Sequence, residues 1–142
     1  MGFDLNGLNP IIKSEAPDIE KDYDAYRQWH DDNPGVYFRN NIWSWRPLWS
    51  FVCKECDDIL TDRDAEMGSF NDGHKISKTK ATRIAKRLRK LLDNGEVDLH
   101  KAGYDAHVEI VNDEWAGNYP FSVENVIDFI QFCEESGGFE IY

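Results

Sequence analysis

Residues 37–49 read YFRNNIWSWRPLW and set five aromatic side chains beside Arg39, Asn40, Asn41 and Arg46. Rings packed behind such groups hold guanidinium and amide donors still, which suits a nucleotide-like or carboxylate ligand, or the backbone of a partner. The structural alternative is that the same groups cap the following helix and pin the terminal strands. A second stretch, Asn71-Asp72-Gly73-His74-Lys75, puts an acid and an imidazole in a glycine loop ahead of a helix N-terminus. That is the material of an acid/base pair beside an anion-binding end. An Asx-type turn leading into a Ser77 cap explains it without chemistry. Arg39, Asn40, Asn41, Arg46, Asp72 and His74 are therefore the candidate ligand-binding set.

Other chemically capable residues carry weaker signals. Cys53-Lys54-Glu55-Cys56 is a CxxC, but a zinc site needs two further ligands, such as Cys133 or a histidine. Cys56 falls on an apolar helix stripe, so a core role is expected. His100 and His107 stand seven apart with no carboxylate at helical spacing, and read as partly exposed rather than as a metal pair. No GxSxG, Walker loop, HExxH or paired-carboxylate motif occurs, and His74 has no nucleophile beside it. No catalytic residue, metal or cofactor is assigned, and the enzyme reading stays an alternative.

Several elements must position these residues. Gly2–Gly7 and Phe139–Ile141 alternate apolar and polar, which predicts two terminal strands that pair and lie on helices. Residues 15–33 read as a helix with Pro17 in its first turn, one narrow apolar stripe and seven acidic residues, docked on the body rather than built into it. A second helix is expected to open near Arg46-Pro47, because proline is tolerated in a first turn, and to bury Leu48, Phe51, Val52, Cys56 and Ile59. Trp45, Trp49 and Phe51 do not share one side of it, so some of these rings should lie outside the main stripe or stay partly exposed. The tryptophans are expected mostly to build the core between this helix and the last one.

Thr61 to Asp64 reads as a cap onto a short helical turn, and 68–73 as a loop. Ser77 caps the clearest helix, with Ala81, Ile84, Ala85, Leu88, Leu91 and Leu92 as its stripe and Asn94-Gly95 as its stop. Another helix carries Val97, Tyr104, Val108, Val111 and Trp115, with Gly103 inside it. The last opens at Ser122 behind a Phe121–Val126 staple and stops at Gly137. The expectation is a single mainly α domain over 1–142, with four to five helices and a small two-stranded sheet made by the N- and C-terminal segments.

The totals set bounds. A chain of 142 residues with nineteen aromatic side chains and a charged fraction of 30% has the size and composition of one folded domain. No apolar run approaches the roughly 18 residues that span a bilayer, and MGFDLNGLNP lacks the parts of a secretion signal. Three cysteines outside a secretory context point to reduced thiols in a bacterial host cytosol.

A net charge of −11 argues against general nucleic-acid binding. Yet Gly73 to Leu92 holds no acid, and Lys75, Lys78, Lys80, Arg83, Lys86, Arg87, Arg89 and Lys90 supply eight of the sixteen basic side chains. This basic stripe needs a counter-charge from the acidic 15–33 helix, an acidic partner or phosphate, or it is simply solvated.

The blocks YFRNNIWSWRPLW, NDGHKIS and YPFSVENV with its trailing SGGF resemble a family of small bacteriophage and bacterial proteins that begin with a similar MGFD-G-NP stretch. The resemblance covers roughly residues 2–10, 37–95 and 118–141 and implies a phage-type accessory protein, without an activity. Members often carry paired CxxC knuckles before the YPFSVENV block. Asn112 to Asn118 holds no cysteine, so the zinc role implied by relatives does not transfer. Residues 11–33 read as an addition.

Three functions follow as expectations. The leading one is a non-enzymatic binding protein for a host macromolecule or nucleotide-like ligand. The alternatives are an enzyme acting on a nucleotide or nucleic-acid phosphate, with His74 as acid or base and Asp72 orienting it, and an acidic charge mimic that occupies a DNA-binding host protein. Oligomeric state is not fixed by the sequence.

Overall fold

The two terminal segments do pair. In the computed structural model, which describes residues 2–111 and 117–142, β1 (Gly2–Gly7) runs antiparallel to β4 (Phe139–Ile141), with Leu5 opposite Ile141. Asp4 and Tyr142 exchange both backbone hydrogen bonds at 2.6 and 2.7 Å, which extends the ladder by one pair. The expected two-stranded sheet is corrected to four strands, with Tyr37–Asn41 (β2) beside β1 and His74–Ile76 (β3) beside β4, in the order β2-β1-β4-β3. Each terminal strand has a second edge, and these edges are filled by β2 and β3. A three-residue strand is too short to show alternation, so the sequence of β3 reads as loop.

Six helices occur among the described residues: α1 (Tyr23–Asp32), α2 (Ile42–Glu55), α3 (Asp62–Met67), α4 (Lys78–Asp93), α5 (Glu96–Val111) and α6 (Val123–Glu135). Phe3, Leu5, Phe38, Ile76, Phe139 and Ile141 on the sheet join α2, α4 and α6 in one core cluster. The alternation in β1 and the 3.6-residue period in the helices thus meet at a single apolar interface. Ser77 and Ser122 accept hydrogen bonds from Lys80 and Asn125 backbone N–H groups, and Gly137 takes the left-handed conformation at φ 68°. Trp115, expected on the α5 stripe, lies outside the described residues.

Two boundaries differ from the sequence reading. The first helix starts at Tyr23, not near Pro17, because the Asp22 side chain accepts from the Ala25 N–H and fixes the start there. The stretch before it folds back instead: Trp29 Nε1 donates to the Ser14 carbonyl at 2.8 Å, and the Lys13 N–H to Asn33 Oδ1 at 2.7 Å. α2 begins at Ile42 under an Asn41 cap, which places Pro47 inside the helix rather than in its first turn. The lost proline N–H is tolerated because Trp45, Leu48 and Trp49 anchor the surrounding turns. Of the two outcomes expected for Trp45, Trp49 and Phe51, packing outside the main stripe is the one that occurs: all three are buried, at 0%, 3% and 2% exposure. α2 is covered from more than one side: Trp45 meets Phe129 of α6, and Phe51 meets His100 of α5 and Phe121.

Candidate functional site

α3 opens with a capping box in which Thr61 Oγ1 accepts the Asp64 N–H and Asp64 Oδ2 accepts the Thr61 N–H, both at 3.0 Å. That fixes the Asp64 carboxylate, which is only 5% exposed. Tertiary structure then brings two more donors to it. His74 Nε2 on β3 lies 2.8 Å from Oδ1, and Lys80 Nζ on α4 bonds Oδ2. Burial pushes the Asp64 carboxyl up, but hydrogen bonds from Lys80, the Thr61 amide and His74 outweigh it and hold the group well below the usual carboxylate range. A carboxylate ionised at neutral pH therefore ties α3, β3 and α4 together and orients the His74 ring. The sequence reading gave this orienting role to Asp72; Asp72 is exposed, and Asp64, ten residues before His74, makes the contact.

A cleft lies against the adjacent face of α2. Trp45, Arg46, Trp49, Ser50 and Cys53 recur on one side of that helix, and Ala65, Ser69 and Phe70 close the space to about 570 Å³. Both indoles are held from behind: Trp45 Nε1 donates to the Gly68 carbonyl at 2.9 Å, and Trp49 Nε1 to the Ala65 carbonyl at 3.0 Å. The rings stack 5.2 Å apart at 14°. Gly68 is required here, since a Cβ would stand 2.2 Å from the Trp49 ring. With their N–H groups spent and their faces packed, Trp45 also against Phe3, the two indoles form a rigid wall behind the cleft rather than a stacking face. Phe70, 51% exposed, is the ring free to stack on something. Burial, and then the Asp64 charge, push the Cys53 thiol up to about 12, so it stays protonated and is no nucleophile at neutral pH.

Among the six candidate residues, Arg46 alone lines this cleft. Its side chain is exposed and makes no ion pair or hydrogen bond among the described residues. The other polar groups of 37–49 are used internally. Arg39 Nε sits 3.3 Å from Asp4 on β1. Asn40 and Asn125 of α6 exchange side-chain amide bonds at 3.0 and 2.8 Å, and Asn41 Oδ1 caps α2 through the Ser44 N–H. Sequence reasoning missed Asp64. Its capping-box spacing was visible, but its partners come from two other elements.

The basic stripe finds its counter-charges outside the acidic 15–33 segment. Lys80 pairs with Asp64, Arg89 Nε with Glu134 at 2.8 Å, and Arg87 grips Asp58 with a two-nitrogen fork at 2.9 and 2.8 Å. Arg83 lies 3.9 Å from Asp58. The Arg87 hydrogen bonds hold the Asp58 carboxyl down at about 2. Lys75, Lys78, Lys86 and Lys90 make no ion pair among the described residues.

Cys56 and Cys133 are buried in the core, and His100 packs between Phe51 and Phe121 at 4.5 and 4.6 Å while His107 is exposed. Burial, with Lys54 adding to it, lowers the His100 pKa. Among the described residues no cluster of three or more His, Cys, Asp or Glu is placed to hold a metal ion, and no helix is long and apolar enough to cross a membrane. Comparison with protein-family models, curated proteins and solved structures gives no match.

Proposed function

We propose that the protein is a non-enzymatic, phage-type binding protein that holds a nucleotide-like ligand in the α2 cleft. The ring of such a ligand stacks on Phe70, and its anionic group meets Arg46. The carrying observation is the unpaired Arg46 guanidinium at a cleft of about 570 Å³, within the ordinary size range of small-molecule sites. Arginine supplies a planar fork suited to phosphate or carboxylate, and that of Arg46 has no ion pair or hydrogen bond among the described residues. Ser50, Ser69 and the protonated Cys53 offer polar contacts to the rest of the ligand.

Calorimetric titration of the full chain with mono-, di-, tri- and cyclic nucleotides tests this. Saturable binding of at least one, weakened about tenfold or more in Arg46→Ala and in Phe70→Ala, is expected. Absence of saturation for every nucleotide up to about 1 mM, or an unchanged affinity in Arg46→Ala, refutes it.

One observation favours a second reading. The Asp64–His74 contact has the geometry by which a carboxylate orients a general acid or base. Nucleotide turnover by the wild type that is lost in His74→Ala supports that enzyme reading, and equal turnover in both removes His74 from any mechanism.

A further inference from the structure

The strand order leaves β2 at one edge of the sheet. Which of its backbone groups face outward follows from the ladder. Gly7 N–H donates to the Val36 carbonyl at 3.0 Å, while Asp4 on the other side of β1 exchanges both bonds with Tyr142. Odd-numbered residues of β1 therefore bond toward β2. With Leu5 opposite Phe38 and Phe3 opposite Asn40, the inward groups of β2 belong to residues 36, 38 and 40. Tyr37 and Arg39 point their backbone groups away from the sheet. The Arg39 carbonyl is taken by Asn40 Nδ2 at 2.9 Å, but the Tyr37 N–H, the Tyr37 carbonyl and the Arg39 N–H have no partner among the described residues.

An exposed row of this kind is a template for another strand unless something covers it. Here it opens onto a cleft of about 440 Å³ between α1 and α6, with Asp31 on one wall, Asp128 on the other and Phe38 at its base. No lysine or arginine lines this cleft, and neither carboxylate makes an ion pair among the described residues. Burial, with Glu124 adding to it, raises the Asp128 carboxyl, so a cation arriving there relieves an unfavourable charge. His30, Asp31 and Tyr37 also line a second cleft of about 580 Å³, which continues the trough onto Tyr23, Tyr26 and Arg27, so the acidic selection acts at the Asp31–Asp128 end.

We infer that the outer edge of β2 is a docking strip for an extended peptide bearing lysine or arginine, which adds as a fifth strand beside Tyr37–Arg39. The backbone groups of Tyr37 and Arg39 supply the main-chain bonds, and Asp31 and Asp128 select for positive side chains. The charge argues against a second copy of this chain as the occupant. Two copies meeting at this edge bring the same acidic walls together, in a protein of net charge −11.

The test is an amide-resolved NMR titration of the full chain with an acetylated, amidated octapeptide of alternating lysine and valine, beside the same peptide N-methylated at alternate residues. Saturable shifts centred on the Tyr37 and Arg39 amides are expected, about tenfold weaker for the N-methylated peptide and for the Asp31→Asn/Asp128→Asn variant. Arg39→Pro removes an outward N–H while leaving the β1 ladder intact, and should abolish the shifts at an unchanged far-UV spectrum. Three results overturn the inference: no saturation up to about 5 mM, equal binding of the N-methylated peptide, or shifts centred away from β2. Dimerisation through the same amides without peptide names a second copy as the occupant and overturns it as well.

Discussion

Replacing Asp64 by asparagine is the most severe single test of how the elements around the candidate site are held. The side chain keeps its shape and its place in the capping box but loses the charge that accepts from His74 and Lys80. Lys80 is then left half-buried, at 30% side-chain exposure, without its partner. Breaking a buried pair from one side costs about 3–5 kcal/mol, since the uncompensated charge adds to the lost bonds. At about 3 °C per kcal/mol for a chain of this size, the thermal midpoint should fall by about 10–15 °C.

The sign with pH follows from the depressed carboxyl. The unfolded group titrates near its ordinary value of 3.8 and the folded one well below it. Asp64 therefore contributes stability in full above the unfolded value and loses it as pH falls toward the folded one. Urea denaturation of wild type and Asp64→Asn should show the full difference at neutral pH and a shrinking one below about pH 4. A double-mutant cycle with Lys80→Met should return a coupling of about 1–3 kcal/mol. A cost under about 1 kcal/mol at neutral pH, or a difference that does not change with acid, refutes the reasoning.

Other perturbations reach the remaining joints. Gly68→Ala drives a methyl to 2.2 Å from the buried Trp49 ring and should cost about 1–3 kcal/mol by calorimetry, whereas a neutral effect means the indole has room to shift. Asn40→Ala leaves the Asn125 amide without its reciprocal partner and should destabilise by about 1–2 kcal/mol, with the Asn40→Ala/Asn125→Ala double variant costing less than the sum of the singles. Thiol labelling at pH 8 should be at least about a hundredfold slower in the native chain than in urea, because burial holds Cys53 and Cys56 near 12 and Cys133 is buried outright. A native rate equal to that in urea means at least one thiol is open to solvent.

The chain writes its local structure plainly. Ser77 and Ser122 are caps, the stripe from Ala81 to Leu91 is buried, Gly137 is left-handed, and the two terminal strands pair. Each is decided within about four residues or by a period of two or 3.6, which is the range over which sequence pattern has physical force. The cap on α2 was open to the same reasoning through Asn41, but the preference of proline for a first turn pointed instead to Arg46-Pro47.

The site itself belongs to another category. Three polar residues of YFRNNIWSWRPLW are consumed because Asp4, Asn125 and the start of α2 happen to lie beside them, while Arg46, in the same stretch, faces a cleft. Composition made all four equivalent. His74 was a candidate by type, yet its partner proved to be Asp64 of a different element rather than the nearer Asp72.

What the sequence determined by itself was the presence of the helices, the buried faces of α2, α4 and α6 and the closure of the two ends, because propensity, capping and periodicity are local. Tertiary structure alone decided the third and fourth strands, the burial of α2 on several sides, and which charges are spent and which are left free. Those outcomes depend on distances between segments far apart in the chain, and an ion pair or a sheet edge exists only once the fold has set them.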